Sequence, residues 1–543
     1  MTRILVLGGY GGFGGRISYR LAMAGHEVIV AGRSRVKAAV FCADKAGLTP
    51  AEVSRDAIGE GLARWRPAVV VDASGPFQEM DLAVPRAAIA AGVHYCDIAD
   101  STAFVTAIAA LDGEAKAAGV AVISGASSVP ALSGAVVRDL AEGLDTVAQV
   151  RIAISASNRA TAGGSVAAAI VGQVGQPFRL WRGKRWTRVH GWQELRRQDF
   201  VVAGRKRLNG RLVALVDVPD LSLLPGRLPG EPSVEFRAGG ELAFQNAILW
   251  LLSWPVRRGW IASLASLARW LLPLQRLTAS LGSDRSAMAV QLFGMAGGSR
   301  IERVWTAIAE DGDGPEIPTL AIAPLVAKIL TGDVPTGARD AGEALTLADY
   351  APAFAELYIY QERTDRVLPP PLYARVLGDR FVRLPASVRA MHSNLRDGGA
   401  AGEAQVTGAA NVLGALIARI VGFPRAGRYP LHVTFAEDEK GERWTRHFGR
   451  TSFHSVLGMH NGVLTEQFGP LRFLFDLPVD AKRLMMKMGG WSAFGIPLPL
   501  ALAPRSLAAE WEEDGRFHFD VPIALPLIGR LVHYRGWLEQ ASS

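Results

Sequence analysis

Cysteine is almost missing from this chain: two residues, Cys42 and Cys96, stand in unrelated contexts among 543. Two thiols make neither a disulfide framework nor a Cys-rich zinc site, so a reducing, cytoplasmic compartment is expected. Runs of Lys and Arg are missing as well, although the formal charge is +8. Arginines scattered without a basic stripe argue against a nucleic-acid partner. They leave an anionic ligand, a phospholipid surface or a genome-wide Arg bias to account for the charge. A clean transmembrane run is missing too. The most apolar stretch, residues 249–274, is long enough for a bilayer but holds Pro255, Arg257, Arg258 and Arg269, too costly at the membrane centre for a spanning helix. No secretory leader is expected, because Arg3–Leu7 is a short apolar strand running straight into glycine. Seven of the ten histidines (His392, His432, His447, His454, His460, His518 and His533) lie late in the chain. None forms H-E-x-x-H or H-x-H, so no metal site is expected and ordinary sheet-face histidines are. There is no P-loop, no G-x-S-x-G elbow and no Tyr followed four residues later by Lys, which excludes the chemistries those motifs carry.

What is present begins at once. The buried-strand pattern Arg3–Leu7 leads into Gly8-Gly9-Tyr10-Gly11-Gly12-Phe13-Gly14-Gly15, and a helix is expected over Arg16–Ala24. This is G-x-G-x-x-G between a first strand and a first helix. Gly9 is expected to make the tight turn, Gly11 to admit the pyrophosphate to the backbone, and Gly14 to let helix and strand pack closely. Gly12 and Phe13 then present helix N-terminal N–H groups to the anion.

The second strand, His26–Val30, ends in Ala31-Gly32-Arg33-Ser34 with no carboxylate. An acidic residue there would bind the ribose 2′-hydroxyl of NAD and repel a 2′-phosphate. Arg33 can pair with that phosphate and Ser34 can donate to it, so NADP(H) is the expected cofactor. Further strands are expected at Val69–Ser74, Val93–Asp97 and Val120–Ser124. Ligands lie beyond the carboxyl ends of such strands, which brings Ser74, Gly75, Pro76, Phe77, Asp97 and Ser124-Gly125 to the crevice. Tyr95 and Asp97 are the candidate acid or base, with a buried, capping Asp97 as the alternative.

The segments Gly8-Gly9-Tyr10-Gly11, Val30-Ala31-Gly32-Arg33, Ala73-Ser74-Gly75-Pro76-Phe77, His94-Tyr95-Cys96-Asp97 and Val129-Pro130-Ala131-Leu132-Ser133 resemble the saccharopine dehydrogenase family, above all its bacterial saccharopine-dehydrogenase-like reductases. The resemblance implies a nicotinamide-dependent oxidoreductase whose second domain closes over the Rossmann crevice. Ala131 departs from the family's Pro-Gly at this point. Residues 368–540, with Leu384-Pro385, Trp444-Thr445-Arg446 and Gly515–Val521, resemble a bacterial domain of unknown function often found behind such domains.

The expected architecture is α/β: a Rossmann domain with a doubly wound parallel sheet over 1–140, an α+β substrate domain over 141–365, and, after Leu368-Pro369-Pro370-Pro371, an antiparallel β-rich α+β domain over 368–540. Alternating Leu471, Phe473, Phe475, Leu477 and Phe517, Phe519, Val521 suggest a sheet that is curved or partly closed, a half-barrel able to take a hydrophobic ligand. Residues 249–274, with Trp250, Trp254, Trp260 and Trp270, read either as core helices or as a face lying peripherally on the inner membrane surface. Asp284, Arg285 and Arg339 read either as binders of a polar head group or as structural ion-pair partners. Two functions follow as expectations. One is hydride transfer to or from a C=C, C=O or C=N bond of a small-molecule, lipid-like substrate. The other is an NADP(H)-binding sensor or scaffold with a C-terminal hydrophobic-ligand module.

Overall fold

The computed structural model describes residues 1–159, 164–265, 278–480 and 483–540. Its first sheet holds strands β1 (Arg3–Leu7), β2 (Glu27–Gly32), β3 (Leu48–Glu52), β4 (Val69–Asp72), β5 (His94–Asp97) and β6 (Ala121–Ser124). All pair in parallel, and a seventh strand, Gly337–Asp340, adds beside β6. The order from one edge is this added strand, β6, β5, β4, β1, β2, β3. Ile4–Leu7, Val28–Ala31 and Val69–Val71 are buried throughout, as strands covered by helices on both faces must be. The polar, Pro-bearing β3 has no strand signal in the sequence, and it is tolerated because it lies at the edge. Strand order reverses where β1 neighbours both β2 and β4, so a crevice opens beyond their carboxyl ends.

The middle region forms a second, mixed sheet of seven strands drawn from Thr146–Ala156 through Ile359–Val367. One pair, Thr146–Ala156 with Ser233–Gly240, is parallel. Helix Ala243–Arg257 packs Asn246, Ser253 and Val256 inward, leaving Phe244, Ile248 and Leu251 exposed. Residues 266–277, including Arg269 and Trp270, lie outside the described residues, and no described helix is long and apolar enough to cross a membrane. Arg285 pairs with Glu310 at 2.9 Å. Arg339 donates to the backbone carbonyls of Pro335 and Thr336. These three bonds engage both side chains within the protein itself.

The third sheet has twelve strands, and its path closes because Leu471–Asp476 pairs with Arg483–Ala493. Val479–Asp480 and Ile496–Leu498 pair only with Arg483–Ala493, so the closed ring holds the other ten strands. The barrel expected to be partly closed is therefore complete. Closure removes the open edges that would otherwise invite association. Phe435, Trp444, Phe473, Phe517 and Phe519 are buried in its core cluster. The helix pattern over 372–392 breaks into Leu372–Leu377, a tight turn at Gly378–Arg383, and Ala386–Met391. Gly378, at φ 56°, and Pro385 supply the breaks. These segments pack against one end of the barrel, and His392 enters it fully buried, its Nε2 2.6 Å from Glu510. It is a core histidine at a helix end rather than one on a sheet face. The barrel wall meets the middle region through Asp397, which accepts from Gly183 N at 2.6 Å, and through the Arg300–Glu437 ion pair.

Candidate functional site

Beyond β1 the chain turns on Gly8, whose φ of +76° is open to glycine. The turn residue is thus Gly8 rather than the Gly9 that the motif suggests. A Cβ on Gly9 would stand 2.7 Å from the Val6 carbonyl oxygen, and one on Gly14 would stand 2.1 Å from that of Gly8. Bare backbone at both positions lets helix α1 (Gly12–Met23) start directly against the strand, with Gly11 as its N-cap. Gly9 N donates to Ala31 O at 3.0 Å, tying the loop to β2. The first-turn N–H groups, among them those of Gly12 and Phe13, have no partner one turn back and face the crevice side of β1.

At the end of β2, Arg33 is exposed and has no ion-pair partner among the described residues. Ser34 caps helix α2 (Arg35–Cys42), its Oγ accepting from Lys37 N at 3.3 Å. Its own N–H donates to the Tyr10 hydroxyl at 3.1 Å, and the Tyr10 ring fills the space a Cβ on Gly32 would need. Tyr10, unassigned in the sequence reading, therefore shapes the pocket between the glycine loop and Arg33. Its only sequence signal is its place between Gly9 and Gly11.

The β4 end is fixed by charge. Buried Asp72 accepts from Ser74 N at 3.0 Å and from Ser74 Oγ at 2.6 Å, and it pairs with Arg55. Arg55 also donates to Ser74 Oγ at 3.0 Å, and one of its guanidinium nitrogens is buried without a partner. Arg55 comes from the loop after β3, and no motif announces it. Gly75 and Pro76 continue the loop to Phe77, which is buried against Phe104 with ring centroids 5.1 Å apart. A surface hollow of about 530 Å³ adjoins them, lined by Phe77, Met80, Leu82, Arg86 and Phe104.

The structure places Tyr95 and Asp97 in the interior rather than in the open crevice: both are fully buried. One Asp97 oxygen accepts from Gly125 N at 2.8 Å, Ala99 N at 2.9 Å and Ser124 Oγ at 3.0 Å, and the other has no partner. Burial pushes its pKa up to about 6, against the pull of those hydrogen bonds. Burial, with Asp97 and Asp72 beside it, drives the Tyr95 hydroxyl well above its ordinary range. Asp97 thus holds the loops after β5 and β6 in place. Ala131, in the departure from Pro-Gly, is buried in the core, where a methyl group is accommodated. From the middle region, Asp217 reaches across to accept from Thr102 Oγ1 at 3.0 Å, and burial raises its pKa.

The cradle fits a dinucleotide: glycines admit a pyrophosphate to bare backbone, and the first residue past β2 is the Arg33 cation, unpaired among the described residues. Residues 4–123 match the family model for the saccharopine dehydrogenase NADP binding domain. Residues 384–538 match a domain of unknown function. No curated protein matches the chain. Among solved structures, apo saccharopine dehydrogenase (L-Glu forming) from Saccharomyces cerevisiae is 13% identical, covering 67% of this chain and 100% of that one at a TM-score of 0.46. A short-chain type dehydrogenase/reductase from Mycobacterium ulcerans is 17% identical over 23% of this chain and 66% of that one, at a TM-score of 0.19. The chain joins an N-terminal domain that matches the saccharopine dehydrogenase NADP binding domain to a separate C-terminal β-barrel that matches a domain of unknown function.

Proposed function

We propose that the protein is an NADP(H)-dependent oxidoreductase acting on a C=C, C=O or C=N bond of a hydrophobic small molecule. The observation that carries this reading is the glycine cradle leading to an unpaired Arg33 with no carboxylate at the end of β2. Bound NADP(H) supplies or accepts a hydride at its nicotinamide ring. In this reading Gly9, Gly11, Gly12, Phe13 and Gly14 hold the pyrophosphate, and Arg33 with Ser34 holds the 2′-phosphate. Ser74, Gly75, Pro76 and Phe77, braced by Asp72 and Arg55, wall the reacting end. Asp97 is a positioning residue there, and the partly exposed Asp217 is better placed than Tyr95 or Asp97 to meet a substrate. What supports a greasy substrate and peripheral membrane contact through 249–274 is exposed Leu251 and Trp260, the latter under the Arg258 guanidinium, continuing an exposed row begun by Phe244 and Ile248.

The test is stopped-flow measurement of NADPH binding and oxidation against long-chain enones, ketones and imines. Turnover with at least one class is expected. Tight NADPH binding without oxidation of any of them overturns the enzymatic reading. That outcome favours a second one, in which NADP(H) regulates the barrel, whose interior cavity of about 200 Å³ is lined by Phe473, Met486, Phe519 and Tyr534.

A further inference from the structure

The two ends of the barrel differ in charge and in grease. At one end lie helix Val412–Val421, the 448–451, 468–471 and 525–529 turns, and the 493–507 segment. Here large apolar side chains face outward. On the helix Leu413, Leu416 and Ile420 are exposed, and in the turns Phe494, Leu500 and Leu527 are, with Phe494 83% exposed and Leu527 wholly so. Arg419, Arg425, Arg428, Arg450, Arg505 and Arg530 stand exposed among them, none paired with a carboxylate among the described residues. The sequence has no Asp or Glu from 404 to 436, from 488 to 509 or from 521 to 538. The opposite end mixes both signs: Asp438, Glu439, Asp476, Glu513, Asp514 and Glu539 stand with Lys440, Arg483 and Arg516, and Arg516 pairs with Glu539 at 2.7 Å.

Ordinary monomer surfaces scatter apolar residues singly and mix charges of both signs. Here a helix presents an apolar row, the turns around it add more, and every formal charge within the helix and these turns is an arginine. Arginine and exposed aliphatic or aromatic side chains without carboxylates are the makeup of an interfacial membrane contact. The middle region meets the barrel on its wall, at Asp397, His432, Glu437 and His447, and leaves this end free among the described residues.

The cavity inside the barrel reaches the same end. Its lining runs from Tyr373 and Glu510 to Ile417 and Val421 of the helix and to Leu471 and Leu525 near the turns. A partner with an apolar layer behind a negatively charged surface satisfies all three features. We propose that this end of the barrel docks on an anionic phospholipid bilayer, with helix Val412–Val421 lying in the interface and the cavity facing the acyl layer. A second copy of the chain is the competing occupant, but two copies would set arginine against arginine.

The experiment is sedimentation of the full chain with phosphatidylcholine vesicles, with and without phosphatidylglycerol. Binding only to the anionic vesicles, weakening as salt is raised, is expected. Leu416→Asp with Ile420→Asp should abolish it. Arg419→Gln and Arg530→Gln should each weaken it about five-fold. Met459→Asp, exposed at the far end, should leave it unchanged. All four substituted side chains of the docking surface are already exposed, and an unchanged melting temperature and NADPH affinity confirm that the variants fold. Equal binding to both vesicle types, no binding, or a dimer in analytical ultracentrifugation that Leu416→Asp with Ile420→Asp dissolves would each overturn the proposal.

Discussion

In the N-terminal crevice, room for a ligand is made by leaving atoms out: Gly9, Gly11 and Gly14 expose bare backbone within a few consecutive residues. In the barrel, a cavity of about 200 Å³ is left among side chains drawn from nine strands and two helical segments. The first kind of site is local and intolerant, because a Cβ meets backbone that cannot move. The second is distributed and adaptable, because its walls are Phe, Met and Leu side chains that can repack. The crevice should therefore fail completely at single positions, and the barrel should fail gradually.

The sharpest break is expected from Gly14→Val. Its Cβ would sit 2.1 Å from the Gly8 oxygen, so NADPH affinity measured by fluorescence should fall by more than about a hundredfold. Barrel unfolding, followed separately, should move little. Next comes Phe519→Ala in the barrel, which should lower stability in urea by about 3–5 kcal/mol while leaving NADPH affinity unchanged. A parallel loss of NADPH binding would show that the two regions are coupled. Arg33→Asp should weaken NADPH by about tenfold to a hundredfold and leave NADH little affected, as isothermal titration can show. Equal loss of both cofactors would remove the 2′-phosphate assignment.

The smallest effect concerns pH. Asp97, Asp220, which accepts from Ser133 Oγ at 2.5 Å, and Asp397 at the barrel wall are each pushed by burial up to about 6, above the ordinary carboxylate range. The folded state then holds protons that the unfolded chain has released. Their stabilising contribution is full below about pH 4 and is lost as pH rises through about 6. Asp97→Asn keeps the oxygen that accepts from Gly125 and Ala99 and removes the titration. Its melting temperature relative to the natural protein should therefore climb between those pH values, and a flat difference would mean that Asp97 does not titrate in this range.

What the sequence disclosed follows the same divide. The glycine loop, Arg33 and the strands β1, β2, β4, β5 and β6 are contiguous signals, each strand but His94–Asp97 being mainly a short run of β-branched or apolar residues. Tyr10 and Arg55 escaped notice because their roles depend on contacts across the fold, with Gly32 and Ser34 for one and with Asp72 and Ser74 for the other. Tyr95 and Asp97 showed their strand but not their burial, since a four-residue strand does not reveal how deeply its end is covered. Barrel closure was invisible for a related reason. It is made by one pairing, Leu471–Asp476 with Arg483–Ala493, and alternation reads the same in an open sheet as in a closed one.

The strand Gly337–Asp340 gives the molecule a schedule. It seals the β6 edge of the nucleotide-binding sheet, yet it emerges from the ribosome only after the whole middle sheet save its last strand. Until then β6 offers unpaired N–H and C=O groups to any passing strand. The nucleotide-binding unit is therefore finished late, by its own chain returning, and a fragment stopped at residue 140 would leave its edge open. During synthesis, protection of that edge falls to chaperones or to speed, and the first domain in the sequence is not the first to be complete.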